Sequence, residues 1–483
     1  KQSRLKAILA SRPSLSGLFA ATACSMDSLP DHEREPLVPK TSKVDSSAWR
    51  VGAACLGFLA DSYDLFTIDL VILILQVEKG TDAIGPSDKS MMVSMMLAGV
   101  VTGQLTFGYV ADLMGRKPTF IATAVLTIVG ALLSASCMAS ETWFDLPLQL
   151  SLCRLLLGVG VGGEYPLAAT VTAESADDVE IRGRFMALVI SMQGFGMLLS
   201  STVAIAALSA QASLETTWRL LLGFGAIPSL VAFGLRWPMH ETSAFKEDRS
   251  RRITGESSGV VETMAAFWRL LLGTASTWFL MNTFQYSIGS FKSTILNDAM
   301  SGVGPGRASV WRQAWFAMAT SGFAILGFGA GHVLISRASR FQMQFWGFAA
   351  VGMVFATVGA WSVSQMPLNG GMLLVFLGLV FFFLNAGPNI TTFILPAEVF
   401  PTRVRATCHG LSAASGKVGA LVGTALLSPA EAAFGMGPVY FACAILAISA
   451  ACATYLFTPR HSVQLSQLEG SVECAVKAQR KQV

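Results

Sequence analysis

Residues 158–174 read GVGVGGEYPLAATVTAE, and they place a carboxylate, a phenol and a proline inside an apolar run from about Leu148 to Thr172. A helix that crosses a bilayer takes about 20 residues, so this run is long enough to span one. A charge near the bilayer centre costs a few kcal/mol or more, which makes Glu164 a candidate functional residue, lining a cavity or a helix bundle. Gly158, Gly160 and Gly163 also spell GxGxxG. A dinucleotide site needs that pattern between a strand and a helix of a soluble unit, and here it interrupts a continuous apolar span, so that reading fails on context. Gly158 and Gly162 form a GxxxG that lets helix backbones approach closely, which accounts for the glycines but not for Glu164.

Composition agrees with a membrane setting. The chain is 53% hydrophobic and 13% charged, with 45 glycines and 31 phenylalanines, as expected of a polytopic helical membrane protein. The net charge of +4 is dispersed over loops and tails and forms no basic stripe, so no nucleic-acid partner is expected. The cysteines at 24, 55, 137, 153, 408, 443, 452 and 474 contain no CxxC pair, and neither a disulfide framework nor a zinc site is indicated. No nucleophile and base pair or metal constellation appears, so an enzyme is not expected, and no cofactor or metal is implied.

In chain order, residues 1–47 read as a disordered cytosolic tail. Met26 is a candidate start, with residues 1–25 as upstream sequence or a fragment edge, and residues 33–38, EREPLV, loosely match an acidic dileucine sorting signal. About twelve apolar spans long enough to cross a bilayer follow between 48 and 457. Lys and Arg gather in alternate connections, and 139–146, 363–369 and 429–433 contain none. By the positive-inside rule both termini are cytoplasmic. The expected organisation is a six-helix half at 48–237, a cytosolic linker at 238–267, a second six-helix half at 268–457 and a cytosolic tail at 458–483. Arg251, Arg252 and Thr254 could form a kinase site, although a solvated charge run explains them as well.

The halves share a register. Adding 224 carries Asp112 to Ser336, Gly115 to Ser339, Arg116 to Arg340, Glu174 to Glu398 and Gln193 to Lys417. Adding 221 pairs Phe58-Leu59-Ala60-Asp61 with Phe279-Leu280-Met281-Asn282. Such a repeat marks transporter halves that enclose substrate near the midplane and alternate access by rocking.

Polar residues within the spans then fall into a pattern. Asp61 and Asp64 are three residues apart and share a face of the first helix. Gln193, Asn282 and Lys417 lie mid-span, and Asn385 and Asn389 flank Pro388, where the ring bends the helix. Tyr165, Trp278, Gln285 and Tyr286 add donors at similar depth. One fixed cation, Lys417, among amide, phenol and indole donors suits an oxyanion. Glu164, Asp64 and Lys417 are expected to converge at mid-depth, with the acids carrying protons. Duller readings exist: Gln104 and Asn385 as interhelical glue, Trp278 as packing, and Arg154 paired with Asp69.

Gly108-Tyr-Val-Ala-Asp112-Leu-Met-Gly115-Arg116-Lys117 resembles the loop signature of the major facilitator superfamily. The stretches GFLADSYDLF, GVGVGGEYPLAATVTAE, WFLMNTFQYS and GPNITTFILPAEVFPTRVRATCHGLSAASGKVGA resemble its phosphate:proton symporter branch. The resemblance implies an all-α fold of twelve transmembrane helices in two pseudo-symmetric six-helix halves. It implies proton-coupled uptake of inorganic phosphate by alternating access, with an organic phosphate, another small organic anion or a non-translocating sensor as alternatives. It puts phosphate on Tyr165, Gln193, Trp278, Asn282, Tyr286, Asn389 and Lys417, proton coupling on Asp61, Asp64 and Glu164, and a gate on Gly108, Asp112, Gly115, Arg116 and Lys117. The expected partners are phosphate, protons and the lipid bilayer, and a monomer suffices. The plasma membrane is the expected location, with vacuolar or endosomal membranes as alternatives. Two departures stand out: the branch's usual GDYP is GEYP here, and its aspartate in the seventh helix is Asn282. The second-half loop is also degraded, at Ser336 and Ser339.

Overall fold

In the computed structural model, residues 47–80, 84–138, 144–253, 259–299, 306–364 and 370–460 are described here. The tail motifs at 33–38, Thr254 and most of the C-terminal tail lie outside them. The described elements are all helices. The first half holds α1 (Ser47–Lys79), α2 (Pro86–Met114), α3 (Arg116–Ser136), α4 (Leu146–Ala173), α5 (Val179–Ser209), α6 (Leu214–Phe224) and α7 (Ala226–Arg236). Two short helices follow, α8 (Ser243–Ile253) and α9 (Val260–Ala266). The second half holds α10 (Trp268–Ala299), α11 (Arg307–Leu334), α12 (Arg340–Val363), α13 (Gly370–Ala386), α14 (Pro388–Val399), α15 (Arg405–Phe434) and α16 (Met436–Phe457). Together α6 and α7 make one span, broken at Gly225, and α13 and α14 make another, broken at Gly387 before Pro388.

Among the described residues, ten helical spans are long and apolar enough to cross a membrane. The two long helices outside that set are α1 and α10, which carry Asp61, Asp64 and Asp69 or Asn282, Gln285 and Tyr286. They bring the membrane-length spans among the described residues to twelve, and they carry these polar groups along otherwise apolar helices.

Lipid tails are as apolar as leucine, so the helices associate through close packing rather than through the hydrophobic effect. Gly158 and Gly162 of α4 meet the α2 backbone at Met96 and Val100, while Gly99 and Gly103 of α2 meet α4 at Leu155 and Val159. A Cβ at any of these four would overlap the partner's backbone. Gly419 and Gly423 play the same part on α15 against the α10 backbone at Phe279 and Thr283, and Gly416 lies against the Trp278 side chain. The halves meet along two seams, α2 with α15 and α5 with α11.

The loop signature is a one-residue turn. Gly115 alone separates α2 from α3, at φ 114°, a left-handed backbone region that glycine enters at little cost. Its counterpart Ser339 has φ −69° and caps α12, its hydroxyl accepting from the Gln342 amide at 3.2 Å. The second-half loop therefore tolerates serine because it is built differently: five residues, 335–339, separate its helices.

Candidate functional site

The centre of the bundle, between the halves, holds a buried cation among neutral donors. Lys417 Nζ donates to the Tyr286 hydroxyl at 2.6 Å and lies 5.3 Å from the centroid of the Tyr165 ring. The glycine stripe of α15 sets this up by drawing α10 close, so that Trp278 and Asn282 flank Gly416, one residue from Lys417. Across the seam, Asn389 Nδ2 donates to Gln193 Oε1 at 2.7 Å, and within its own half it donates to Asn385 Oδ1 at 2.7 Å. Tyr165, Gln193, Trp278, Asn282, Asn389 and Lys417 are all buried. The repeat organises this cluster, since the 224-residue offset carries Tyr165 to Asn389 and Gln193 to Lys417.

Glu164 departs from expectation. It does not join Lys417 but turns into the first half, where Arg236 of α7 grips both carboxylate oxygens, one of them at 2.9 Å. Thr123 of α3 donates to it at 3.2 Å. Arg236 also stacks 3.8 Å from the Phe120 ring centroid and donates to the Phe120 carbonyl. A Cβ on Gly57 would overlap Arg236 and Glu164, so α1 accommodates the pair only through that glycine. The physical reason is solvation: a buried carboxylate is held far better by a bidentate guanidinium than by a lysine it would share with substrate. Arg236 was hidden in the sequence because an arginine at the end of a span reads as an ordinary cytoplasmic flank.

Asp64 is also apart from Lys417. Its carbonyl accepts from Arg154 Nη1 at 3.0 Å and its carboxylate packs on Gly225 at the break between α6 and α7. Arg154, expected on Asp69, therefore serves Asp64, and its other contact is the Met96 sulfur. Asp61 lies between these groups, within electrostatic reach of the Glu164–Arg236 pair, Asp64 and Tyr165, and its Oδ2 makes no hydrogen bond. The three acids thus form a chain inside the first half, with Asp61 the member nearest the central cluster.

Trp278 packs against His409. The ring of His409 meets it edge to face at 5.5 Å, and His409 Nε2 is 3.1 Å from the Phe393 carbonyl.

At the end of the bundle where α1 starts and α16 stops, two arginine–carboxylate clusters clamp the halves. Glu174 accepts from Arg116 of its own half and Arg405 of the other, both at 2.9 Å. Glu398 accepts from Arg340 of its own half at 3.0 Å and faces Arg182 of the other at 3.8 Å. Asp112 caps α15, accepting from the Thr407 amide at 2.8 Å and its hydroxyl at 2.7 Å. Gly108 lets α2 cross α15 at Ala406 and Gly410. Glu241, just after α7, accepts from the Arg116 and Lys117 amides at 3.0 and 3.2 Å, as an acid at a helix N-terminus should. Burial alone would push the Glu174 carboxyl up, but Arg116 and Arg405 outweigh it and hold the group below the usual carboxylate range. Arg182 and Arg405 belong to the connections whose basic residues set the positive-inside pattern, and the sequence signal for their role here is the matched pair Glu174 and Glu398.

At the opposite end, Arg307 of α11 donates to the Leu208 carbonyl in the last turn of α5 and to the Ala212 carbonyl just beyond it, each at 2.8 Å. A narrow cleft there runs from Asp69 and Met96 to Gln285, Tyr286 and Phe381. Tyr286 therefore touches both the cleft and Lys417.

Residues 50–466 match the sequence profile of the sugar (and other) transporter family. Inorganic phosphate transporter 1-1 of Oryza sativa subsp. japonica is 32% identical, over 77% of this chain and 81% of its own. Inorganic phosphate transporter 1-2 of the same plant is 33% identical, over 77% and 81%. The chain belongs to the inorganic phosphate transporter branch of the major facilitator superfamily. Among solved structures, the proton:xylose symporter XylE bound to 6-bromo-6-deoxy-D-glucose superposes on this transporter with a TM-score of 0.71, at 18% identity, over 88% of this chain and 98% of that one. A partially occluded inward-open form of XylE from E. coli gives 0.62, over 86% and 98%. At that identity the likeness speaks for the fold alone. This transporter is an integral, multi-pass membrane protein.

Proposed function

We propose that this transporter imports inorganic phosphate together with protons by alternating access, with both termini in the cytoplasm. The observation that carries the reading is Lys417, a buried ammonium at the seam between the halves, surrounded by uncharged donors from both. Phosphate enters along the cleft by Asp69 and Tyr286. Its oxygens take hydrogen bonds from Lys417 and Tyr286 and from the amides and rings of Tyr165, Gln193, Trp278, Asn282 and Asn389. Charge-assisted bonds of this kind are worth about 1.5–3 kcal/mol each.

Asp61, Asp64 and Glu164 carry the protons. Asp61 has an oxygen without a partner and sits between the central cluster and the Glu164–Arg236 pair, so its charge is felt on both sides. The carboxylate clusters at the terminal end form the cytoplasmic gate, and release of phosphate requires Glu174 to let go of Arg405 and Glu398 of Arg182. One chain holds the whole site between its own halves, which supports a functional monomer. The plasma membrane is the proposed location.

Uptake of labelled phosphate into proteoliposomes, with and without an inward proton gradient, tests the reading. Accumulation that follows the gradient is expected. Stronger competition from a glycerophosphodiester than from unlabelled phosphate would transfer the site to an organic phosphate, and binding without accumulation would make the protein a sensor.

A further inference from the structure

Two thiols that the sequence sets 16 positions apart come together at the end of the bundle away from the termini. Cys137 caps the C-terminus of α3 and Cys153 lies in the second turn of α4, with the two sulfurs 3.8 Å apart. We propose that Cys137 and Cys153 form an intramolecular disulfide that ties the end of α3 to α4. The geometry is close to that needed, since a disulfide bond measures about 2.05 Å and the sulfurs must approach by about 1.8 Å. Cys137 has the freedom to supply that movement: its backbone, at φ −58° and ψ 140°, has already left the helix. Its thiol is held by the Leu133 carbonyl at 3.4 Å, a weak contact that a rotation about the side chain exchanges for the covalent bond.

The surroundings favour the reaction. Arg154, next to Cys153, lies within electrostatic reach of that thiol. Guanidinium groups at that range stabilise the thiolate, the attacking species in thiol–disulfide exchange. One cysteine loses its proton and attacks an external low-molecular-weight disulfide, forming a mixed disulfide and expelling one thiolate. The second cysteine then attacks the first cysteine's sulfur and expels the other. Two thiols and one external disulfide become one protein disulfide and two small thiols. The connection from α3 to α4 has no Lys or Arg, which under the orientation proposed above puts it outside the cytoplasm, where disulfides persist. Because α3 and α4 belong to one half, the bond stiffens that half without joining it to the other.

The test begins with purified transporter treated with oxidised glutathione, alkylated, digested without reduction and analysed by mass spectrometry. A cross-linked peptide containing Cys137 and Cys153 is expected, absent from Cys153→Ser. The oxidised protein should melt at a higher temperature than the reduced one, a difference that Cys137→Ser and Cys153→Ser each abolish while phosphate uptake is unchanged. Two thiols that remain alkylatable after the treatment overturn the proposal. The orientation on which it leans is checked separately by a membrane-impermeant maleimide on intact cells, with Met138→Cys in a Cys137→Ser, Cys153→Ser background; Met138 is exposed. If that cysteine is not labelled, the orientation fails, and the disulfide with it as a natural feature. If it is labelled and the peptide is missing, only the disulfide fails.

Discussion

Glu174 and Glu398 occupy equivalent places in the two halves, and each takes one arginine from its own half and one from the other. Their in-half contacts repeat almost atom for atom, down to the arginine's second bond, to the carbonyl of Ala111 at 3.1 Å or of Ile335 at 3.2 Å. Each of these arginines also reaches across, to the Thr402 carbonyl at 3.0 Å or the Val179 carbonyl at 3.2 Å, but the arginines that cross to the carboxylates do not repeat. Arg405 sits 2.9 Å from Glu174, whereas Arg182 stands 3.8 Å from Glu398 with two of its nitrogens making no hydrogen bond. Asp112 also reaches across to cap α15, and its counterpart Ser336 only accepts from Arg184 at 2.9 Å. Duplication thus preserved the frame of each half, while the latch became tight on one seam and loose on the other. The interior diverged in the same way, with acids in the first half and Lys417 in the second.

The largest expected effect breaks that interior comparison. Gln193 and Lys417 are equivalent positions, yet Lys417→Ala should abolish uptake, by about 100-fold or more, because a lost charge-assisted bond is worth up to about 3 kcal/mol. Gln193→Ala loses a bond to the anion but no fixed charge, and should cost about tenfold. Equal losses in uptake assays on folded protein would remove the distinction.

Next come the two latches. Glu174→Gln removes the carboxylate that Arg116 and Arg405 share, and losing one partner of a buried ion pair typically costs about 3–5 kcal/mol. Spin labels across the terminal end should therefore report a gate that is mostly open. Glu398→Gln should open it far less, since the Arg182 contact is already long. Because the Glu174 carboxyl is held below the ordinary range, the latch is fully charged above the usual carboxylate pKa and weakens only as pH falls through the lowered value. Similar gate distances in both variants would show the asymmetry to be without consequence.

Asn282 is the counterpart of Asp61, and Asn282→Asp puts an acid at both positions. An asparagine donates directly to a phosphoryl oxygen, whereas an aspartate needs a proton between them. Phosphate and glycerophosphodiester binding from about pH 5 to 8, where raised carboxylate pKa values would show, should depend more steeply on pH in the variant. Identical profiles for both ligands would mean that Asn282 does not touch the phosphoryl group.

The smallest effect concerns the caps. Asp112→Asn keeps one acceptor for Thr407 but loses the charge beside Arg116, 3.3 Å away, so turnover should fall a few-fold with little change in affinity. Equal loss of both would point to misfolding. Ser336→Asp, which rebuilds the missing acid on the loose seam, should slow turnover by a similar factor if that seam is loose for want of it.

The sequence alone determined the membrane setting, the helix count and the twofold repeat, because hydropathy, positive-inside charge and a constant register are local or periodic signals. It also picked out the central cluster, since an amide, phenol or ammonium in a span has few reasons to be there. What it could not determine was partnership. Glu164 and Lys417 look alike in one dimension, as charges at mid-depth, yet Arg236, 72 residues further along, captures the acid and leaves the lysine with its tyrosines. Arg182 and Arg405 read as cytoplasmic flanks until the fold pairs each with a carboxylate of the opposite half, and Cys137 and Cys153 meet only because α3 and α4 pack side by side. Which charges neutralise one another depends on where helices far apart in sequence come into contact, and glycines such as Gly57 that permit those contacts reveal their purpose only when the neighbour is in place.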